Sequence, residues 1–241
     1  MKKTFKVIAH LLVFVLVFSV FPILTPVAAP FSDGLEFVLK NDLWGALETT
    51  DTVGPIIKLT NLNEPSDWAR EEIVAALTAG LVPDSVANAG WQNHTTRIAA
   101  AEAIALLIEK AIGETMEDIA GEQGWDLNAD HFSDTGNIAV TFLKHAGVTL
   151  GVGNNMYDPY SSYTRAQIVT MIGRAAEAFF NTEARGENPF TDVPEWAAPY
   201  VGYAADNGIT QGIGGGRFDP GGILQNQQTA VFIYRTYSVW Q

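Results

Sequence analysis

The sequence predicts an all-α fold built from three helix–loop–helix repeats, and three observations predict it. Related stretches recur along the chain, apolar residues fall at helical spacing inside each copy, and Gly- and Pro-containing loops lie at corresponding places between them. Across the 241 residues, 47% are hydrophobic and 17% charged, which suits a folded core rather than a disordered chain.

The first segment stands apart. Lys2, Lys3 and Lys6 precede an apolar run from Val7 to Leu24, followed by Pro26-Val27-Ala28-Ala29. A basic start, a greasy middle and small residues at the end make a secretory signal peptide over residues 1–29, with cleavage expected after Ala29. The rival is a retained membrane anchor, because the run approaches the roughly 18 to 20 residues that span a bilayer. Pro22 and Pro26 shorten its usable helix, so no stable membrane insertion is expected after cleavage. The formal charge is −13, and −16 once Lys2, Lys3 and Lys6 are gone. Nucleic acid is therefore excluded as a partner, since phosphate binding needs clustered Lys and Arg. There is no cysteine, which leaves stability to packing and excludes thiolate metal sites and Cys nucleophiles. Residues 30–62 read as a lead-in of low repeat character.

The repeats are set out at 63–122, 128–186 and 187–241. In the middle copy Phe132-Ser133-Asp134 leads to Gly147, Gly151-Val152-Gly153, Tyr157-Asp158-Pro159 and Tyr163-Thr164-Arg165-Ala166-Gln167. In the last, Phe190-Thr191-Asp192 leads through Trp196 to Gly208, Gly212-Ile213-Gly214, Phe218-Asp219-Pro220 and Gln225-Asn226-Gln227-Gln228. From Gly147 onward these two copies match at a constant offset of 61 residues; before it the last copy holds three extra residues. The first copy is more worn. Asp67-Trp68-Ala69 aligns with Glu195-Trp196-Ala197, and Gly80-Leu81 with Gly208-Ile209, at an offset of 128.

Within the first copy Trp68, Ile73, Ala76 and Leu77 recur at helical spacing and Gly80 is placed to end the helix. The segment from Ile98 to Ile112 is apolar over most of its circumference and is expected to be central and buried. Thr164 and Gln167 fit a capping box at the start of the middle copy's second helix, and Ile168, Met171, Ile172 and Ala175 continue its apolar face.

The sequence resembles S-layer homology repeats, whose pattern is an aromatic-x-Asp start, a helix ending near Gly, a Gly-x-Gly and aromatic-x-Pro loop, and a Thr-Arg-Ala-Glu opening of the second helix. The resemblance covers residues 63–240. It implies a pseudo-threefold spindle around a central three-helix bundle. It also implies a non-catalytic anchor on a bacterial cell wall or surface layer that binds secondary cell-wall polysaccharide, often through a pyruvate-bearing amino sugar, in grooves between repeats. No cofactor or metal is implied.

An acidic protein can retain such an anion only with a locally placed cation, and the Arg fork pairs with both carboxylate oxygens. Arg97 and Arg165 occupy that position at helix starts, where backbone N–H groups and the helix dipole also favour an anion. Asn226 replaces Arg in the third copy, whose groove is expected to bind weakly or not at all. Asp134 and Asp192 keep the aromatic-x-Asp element, whereas Glu64 stands at the aligned place in the first copy without a preceding aromatic. Trp68 and Trp196 are candidates to stack on sugar faces, and Gly153 and Gly214 to let backbone amides approach the ligand.

Each residue has a plainer alternative. The arginines could pair with neighbouring carboxylates, Asp134 and Asp192 could cap helices, and the tryptophans could pack in the core or a groove wall. The run Gly212 to Arg217 lacks the last Gly of a nucleotide fingerprint and follows a helix rather than a strand. His94, His131 and His145 show no metal-ligand spacing. A wall hydrolase would need two carboxylates about 5 to 10 Å apart in a cleft, whereas Glu64, Asp134 and Asp192 recur once per repeat. A self-associating surface-layer component, with other surface-layer proteins as partners, is the further alternative.

Overall fold

The computed structural model describes residues 64–241, so the expected signal peptide at 1–29 and the lead-in at 30–62 lie outside the described residues. The described chain forms α1 (Asp67–Thr78), α2 (Asp84–Ala87), α3 (Arg97–Ile112), α4 (Met116–Gln123), α5 (Ile138–His145), α6 (Arg165–Phe179), α7 (Ala198–Asp206) and α8 (Asn226–Trp240). Among the described residues, strand-like pairing is confined to isolated antiparallel bridges. The all-α expectation therefore holds for this region.

The shorter helices α1, α5 and α7 end alike, and their sequences say why. Gly80, Gly147 and Gly208 take φ values of +66°, +71° and +70°, which glycine reaches without a Cβ penalty. The residue after each then donates back into the helix: Leu81 N to Ala76 O at 2.9 Å, Val148 N to Leu143 O at 2.9 Å and Ile209 N to Ala204 O at 2.8 Å. Leu81, Val148 and Ile209 are buried, so each helix stop also delivers an apolar side chain to the core.

The long helices start on side-chain caps. Thr96 Oγ1 accepts from Ala99 N at 3.3 Å, and Thr164 and Gln167 form the expected capping box. Behind its cap α3 buries Ala100, Ala101, Ile104, Ala105, Leu107 and Ile108, in keeping with its apolar circumference. It contacts both α6 and α8. Each shorter helix lies on a long helix from another stretch of chain: α1 on α8, α5 on α3 and α7 on α6.

Just before the three long helices the backbone closes a ring. Thr95 N donates to Leu224 O at 2.8 Å, Leu224 N to Tyr163 O at 2.9 Å, and Tyr163 N to Thr95 O at 3.0 Å. Buried backbone groups need partners, and here each segment satisfies the next rather than itself.

Two elements escaped the sequence reading. The short α2 stands where the other copies have a glycine turn, and α4 follows α3. In α4 only Ile119 and Ala120 are buried. Its start is held by Thr115 Oγ1 accepting from Asp118 N at 3.1 Å and Glu109 Oε1 accepting from Met116 N at 2.8 Å, contacts without an apolar period to announce them.

Candidate functional site

The site begins with two loops whose fold is written in their turn residues. Between Gly153 and Met156 the central residues Asn154 and Asn155 have φ of +52° and +54°; between Gly214 and Arg217, Gly215 and Gly216 have +61° and +70°. Positive φ at both central positions marks a tight primed hairpin turn, which Asn and Gly tolerate best. Asp158 and Asp219, each before a proline, are also left-handed, at +59° and +61°.

These turns are fastened by Asp134 and Asp192. Asp134 accepts from Tyr157 N and Asp158 N at 2.8 and 2.7 Å; Asp192 accepts from Phe218 N and Asp219 N at 2.8 and 2.9 Å. The helix-capping alternative for these residues is thereby corrected: α5 is capped by Asn137, whose Oδ1 accepts from Val140 N at 3.1 Å, and α7 starts without a side-chain cap. Desolvation pulls the Asp134 carboxyl upward, but the N–H groups of Tyr157 and Asp158 outweigh it and leave it below its ordinary value. Asp192 is lowered by the Phe218 N–H first, then, against desolvation, by that of Asp219.

Glu64 does neither. It is exposed, its carboxylate lies 3.6 Å from Arg70, and its carbonyl accepts from Gln92 Nε2 at 3.2 Å.

Arg97 and Arg165 are buried, 6% and 7% exposed. Arg97 Nε donates to Tyr157 O at 2.7 Å, and Arg165 Nε to Phe218 O at 2.9 Å. The first guanidinium lies over the rings of Tyr157 and Tyr163 at 4.7 and 5.0 Å, the second over those of Phe218 and Phe232 at 4.8 and 5.5 Å. Aromatic faces hold the cation flat while one nitrogen locks it to the neighbouring loop. Among the described residues neither arginine has a carboxylate partner, so the ion-pair alternative fails for both. Burial lowers the Arg165 guanidinium, and Asp219 and Asp192 push the other way; a guanidinium stays charged throughout.

Asn226 occupies the third such position and does different work. It is 1% exposed; its Nδ2 donates to Gly90 O at 2.9 Å and its Oδ1 accepts from Thr95 Oγ1 at 3.0 Å. Thr95 also bonds Thr229 at 2.8 Å, so this junction is a closed, uncharged network.

Arg165 and Trp68 come together in an open cleft of about 280 Å³, with Gly212, Ile213, Gln228 and Arg235 among its walls. Trp68 is 55% exposed, and Trp196 is 56% exposed, which removes both from the core. Arg235 and Gln228 line the cleft and were not among the candidates the sequence offered. Arg235 is clamped by Glu72 of α1, through bonds of 2.6 and 2.8 Å. Its match to Arg174 at the 61-residue offset was the available signal.

Gly153 and Gly214 sit in the hairpin turns at φ of +100° and +93°, with open space where a Cβ would stand. The sterically required glycines are Gly151 and Gly212, where a Cβ would come within 2.3 Å of Met156 O and 2.4 Å of Arg217 O.

Residues 189–224, which contain Asp192, Trp196 and the second hairpin, match the S-layer homology domain family model. Over 101 residues, 40% of this chain, the sequence is 33% identical to a cell surface protein of Thermoanaerobacter kivui. It is 26% identical over 121 residues, 50% of the chain, to an S-layer protein of Bacillus thuringiensis subsp. finitimus. It is also 30% identical over 150 residues, 61% of the chain, to a surface-layer 125 kDa protein of Lysinibacillus sphaericus. These alignments span 13%, 14% and 12% of the relatives' own lengths. Residues 189–224 thus match the S-layer homology domain family, and the chain is similar in sequence over part of its length to S-layer and cell-surface proteins.

Proposed function

We propose that this protein is a non-catalytic anchor at the bacterial cell surface that binds an anionic secondary cell-wall polysaccharide in grooves between the repeats of a pseudo-threefold spindle. The closed ring of hydrogen bonds through Thr95, Tyr163 and Leu224, and the cyclic order in which α1, α5 and α7 lie on α8, α3 and α6, support the spindle. The expected signal peptide at 1–29 accounts for export.

The observation that carries the binding function is Arg165 in its cleft. Its Nε is committed to Phe218 O, its charge has no carboxylate partner among the described residues, and Trp68 stands exposed beside it. A sugar carboxylate reaching the remaining nitrogens gains a charge-assisted contact worth roughly 1.5 to 3 kcal/mol. Trp68 offers the sugar ring a flat apolar face. Asp134 and Asp192 act behind this surface by holding the loops that receive Arg97 and Arg165.

The test is co-sedimentation with peptidoglycan sacculi before and after chemical removal of their attached polysaccharide. Binding is expected to vanish with the polysaccharide, and Trp68→Ala, at a half-exposed position, is expected to weaken it about tenfold or more while helical circular dichroism stays unchanged. Equal pelleting of stripped sacculi overturns the reading. Sedimentation of the protein alone tests self-association, which the exposed Leu150, Val152 and Met156 on the first hairpin favour as a second reading.

A further inference from the structure

The two hairpins of matched sequence are fastened to the molecule with unequal strength. Their backbone ties are shared. Val152 N donates to Met156 O at 2.8 Å and Ser133 N to Asn155 O at 2.7 Å; Ile213 N donates to Arg217 O at 2.8 Å and Thr191 N to Gly216 O at 3.0 Å. Asp134 and Asp192 hold the two following corners alike.

Their side-chain ties differ. Lys144, near the end of α5, sets its ammonium 2.6 Å from Asp130 O, 3.0 Å from Asp130 Oδ1 and 3.3 Å from Asn155 Oδ1, and 4.8 Å from the centre of the Phe132 ring. Asn155 Nδ2 donates in turn to His131 O at 3.2 Å. One cation thus joins α5, the segment 130–132 and the tip of the first hairpin. Its side chain is 19% exposed, so water screens these contacts less than those of a surface ion pair. At the matched places the last copy has Ala205 for Lys144, Asn188 for Asp130 and Gly216 for Asn155. Asn188 is used locally, donating to Phe190 O at 2.9 Å and accepting from Phe190 N at 3.0 Å.

The second turn is also built from a freer residue type. Gly215 and Gly216 have φ of +61° and +70°, and nothing lies within 4 Å of a Cβ at either. Space does not demand glycine there, because Asn154 and Asn155 make the same turn at +52° and +54°. Consecutive glycines widen the range of conformations the tip can visit. Among the described residues its one charged contact is Arg217 with Asp192, at 3.8 Å. Gly212 and Ile213 of this hairpin line the cleft, and Ile213 is exposed.

We propose that the second hairpin, residues 212–218, is a flap that folds over a polymer chain lying in the cleft, and that Lys144 pins the first hairpin in one position. The difference in mobility stands apart from the polymer reading above; what the flap folds over rests on that reading.

Amide hydrogen exchange of the full protein, resolved by residue and corrected for the intrinsic rate of each amide, tests both halves. Ile213 and Arg217 are expected to exchange about tenfold or more faster than Val152 and Met156, the factor that one net charge-assisted hydrogen bond supplies. Lys144→Met, which keeps an apolar stem and removes the charge, is expected to bring Val152 and Met156 up to the rate of the second hairpin with helical circular dichroism unchanged. Gly215→Asn combined with Gly216→Asn is expected to slow Ile213 and Arg217. Equal protection of the two hairpins in the unaltered protein overturns the proposal, and a first hairpin that stays protected in Lys144→Met overturns the pin. On protein pelleted with sacculi that carry their polysaccharide, exchange at Ile213 and Arg217 is expected to slow while Val152 and Met156 stay as they were. A second hairpin that exchanges as fast on the pelleted protein overturns its role as a flap. Protein that does not pellet removes the polymer reading, and the exchange order in solution then decides the mobility by itself.

Discussion

Asp134 and Asp192 show how one residue type can fasten a loop corner more than 20 residues away. Each carboxylate collects two backbone N–H groups at the corner where Asp158 or Asp219 is forced left-handed before a proline. Without an acceptor there, the corner would leave two donors unpaired beside the aromatic ring that supports an arginine. Both carboxyls titrate below their ordinary values in the folded protein, so the stability they provide is complete above the unfolded value of about 4 and is lost as the pH falls through their lower folded values. Thermal melts from pH 6 down to pH 2 are expected to show Tm falling over that window. Asp192→Asn is expected to flatten the fall and lower Tm at pH 6. An unchanged acid profile in the variant counts against this role.

For Arg97 and Arg165, sequence reasoning found the residue and its place at a helix start, but not its division of labour. A guanidinium has several N–H donors, and the structure spends Nε on a loop carbonyl from the next stretch of chain. That acceptor lies 60 residues away from Arg97 and 53 from Arg165, a distance no local pattern encodes.

At the scale of the element, local signals were reliable where the physics is local. The capping box at Thr164 and Gln167 depends on residues three apart, and the stop at Gly80 on one φ value; both stand as read. Thr164→Ala is expected to cost about 1 kcal/mol in chemical denaturation, the usual worth of a lost N-cap. No loss of stability would mean that tertiary contacts alone hold the start of α6. Helix α4 was not legible because two buried residues in a stretch of eight make no period. The exposure of Trp68 and Trp196 was not legible either, since helical spacing groups residues on a face without saying where that face ends.

At the scale of the whole described region, stability is shared around a ring rather than stacked along a line. Helix α1, near the beginning, lies on α8, at the end, and Arg235 joins them through Glu72. A linear array of repeats would survive loss of its last member with the rest folded. Here, removing residues 225–241 takes away α8 and its contacts with α1 and α3. The shortened protein is expected to lose its cooperative thermal transition in circular dichroism. A sharp transition of reduced amplitude would instead show that the earlier segments fold on their own.

The sequence by itself determined the helical class, the helix stops at glycine, the cap of α6, the offset of 61 residues and the arginines at helix starts, because each follows from spacing or from the conformational range of one residue type. Only the tertiary structure decided which segments meet: that Arg165 shares a cleft with Trp68, that Glu72 silences Arg235 while Arg174 stays unpaired among the described residues, and that Asn226 closes a neutral network with Thr95. Charge and hydrogen-bond satisfaction depend on neighbours brought in from across the ring, and a side chain's own position in the sequence does not name them.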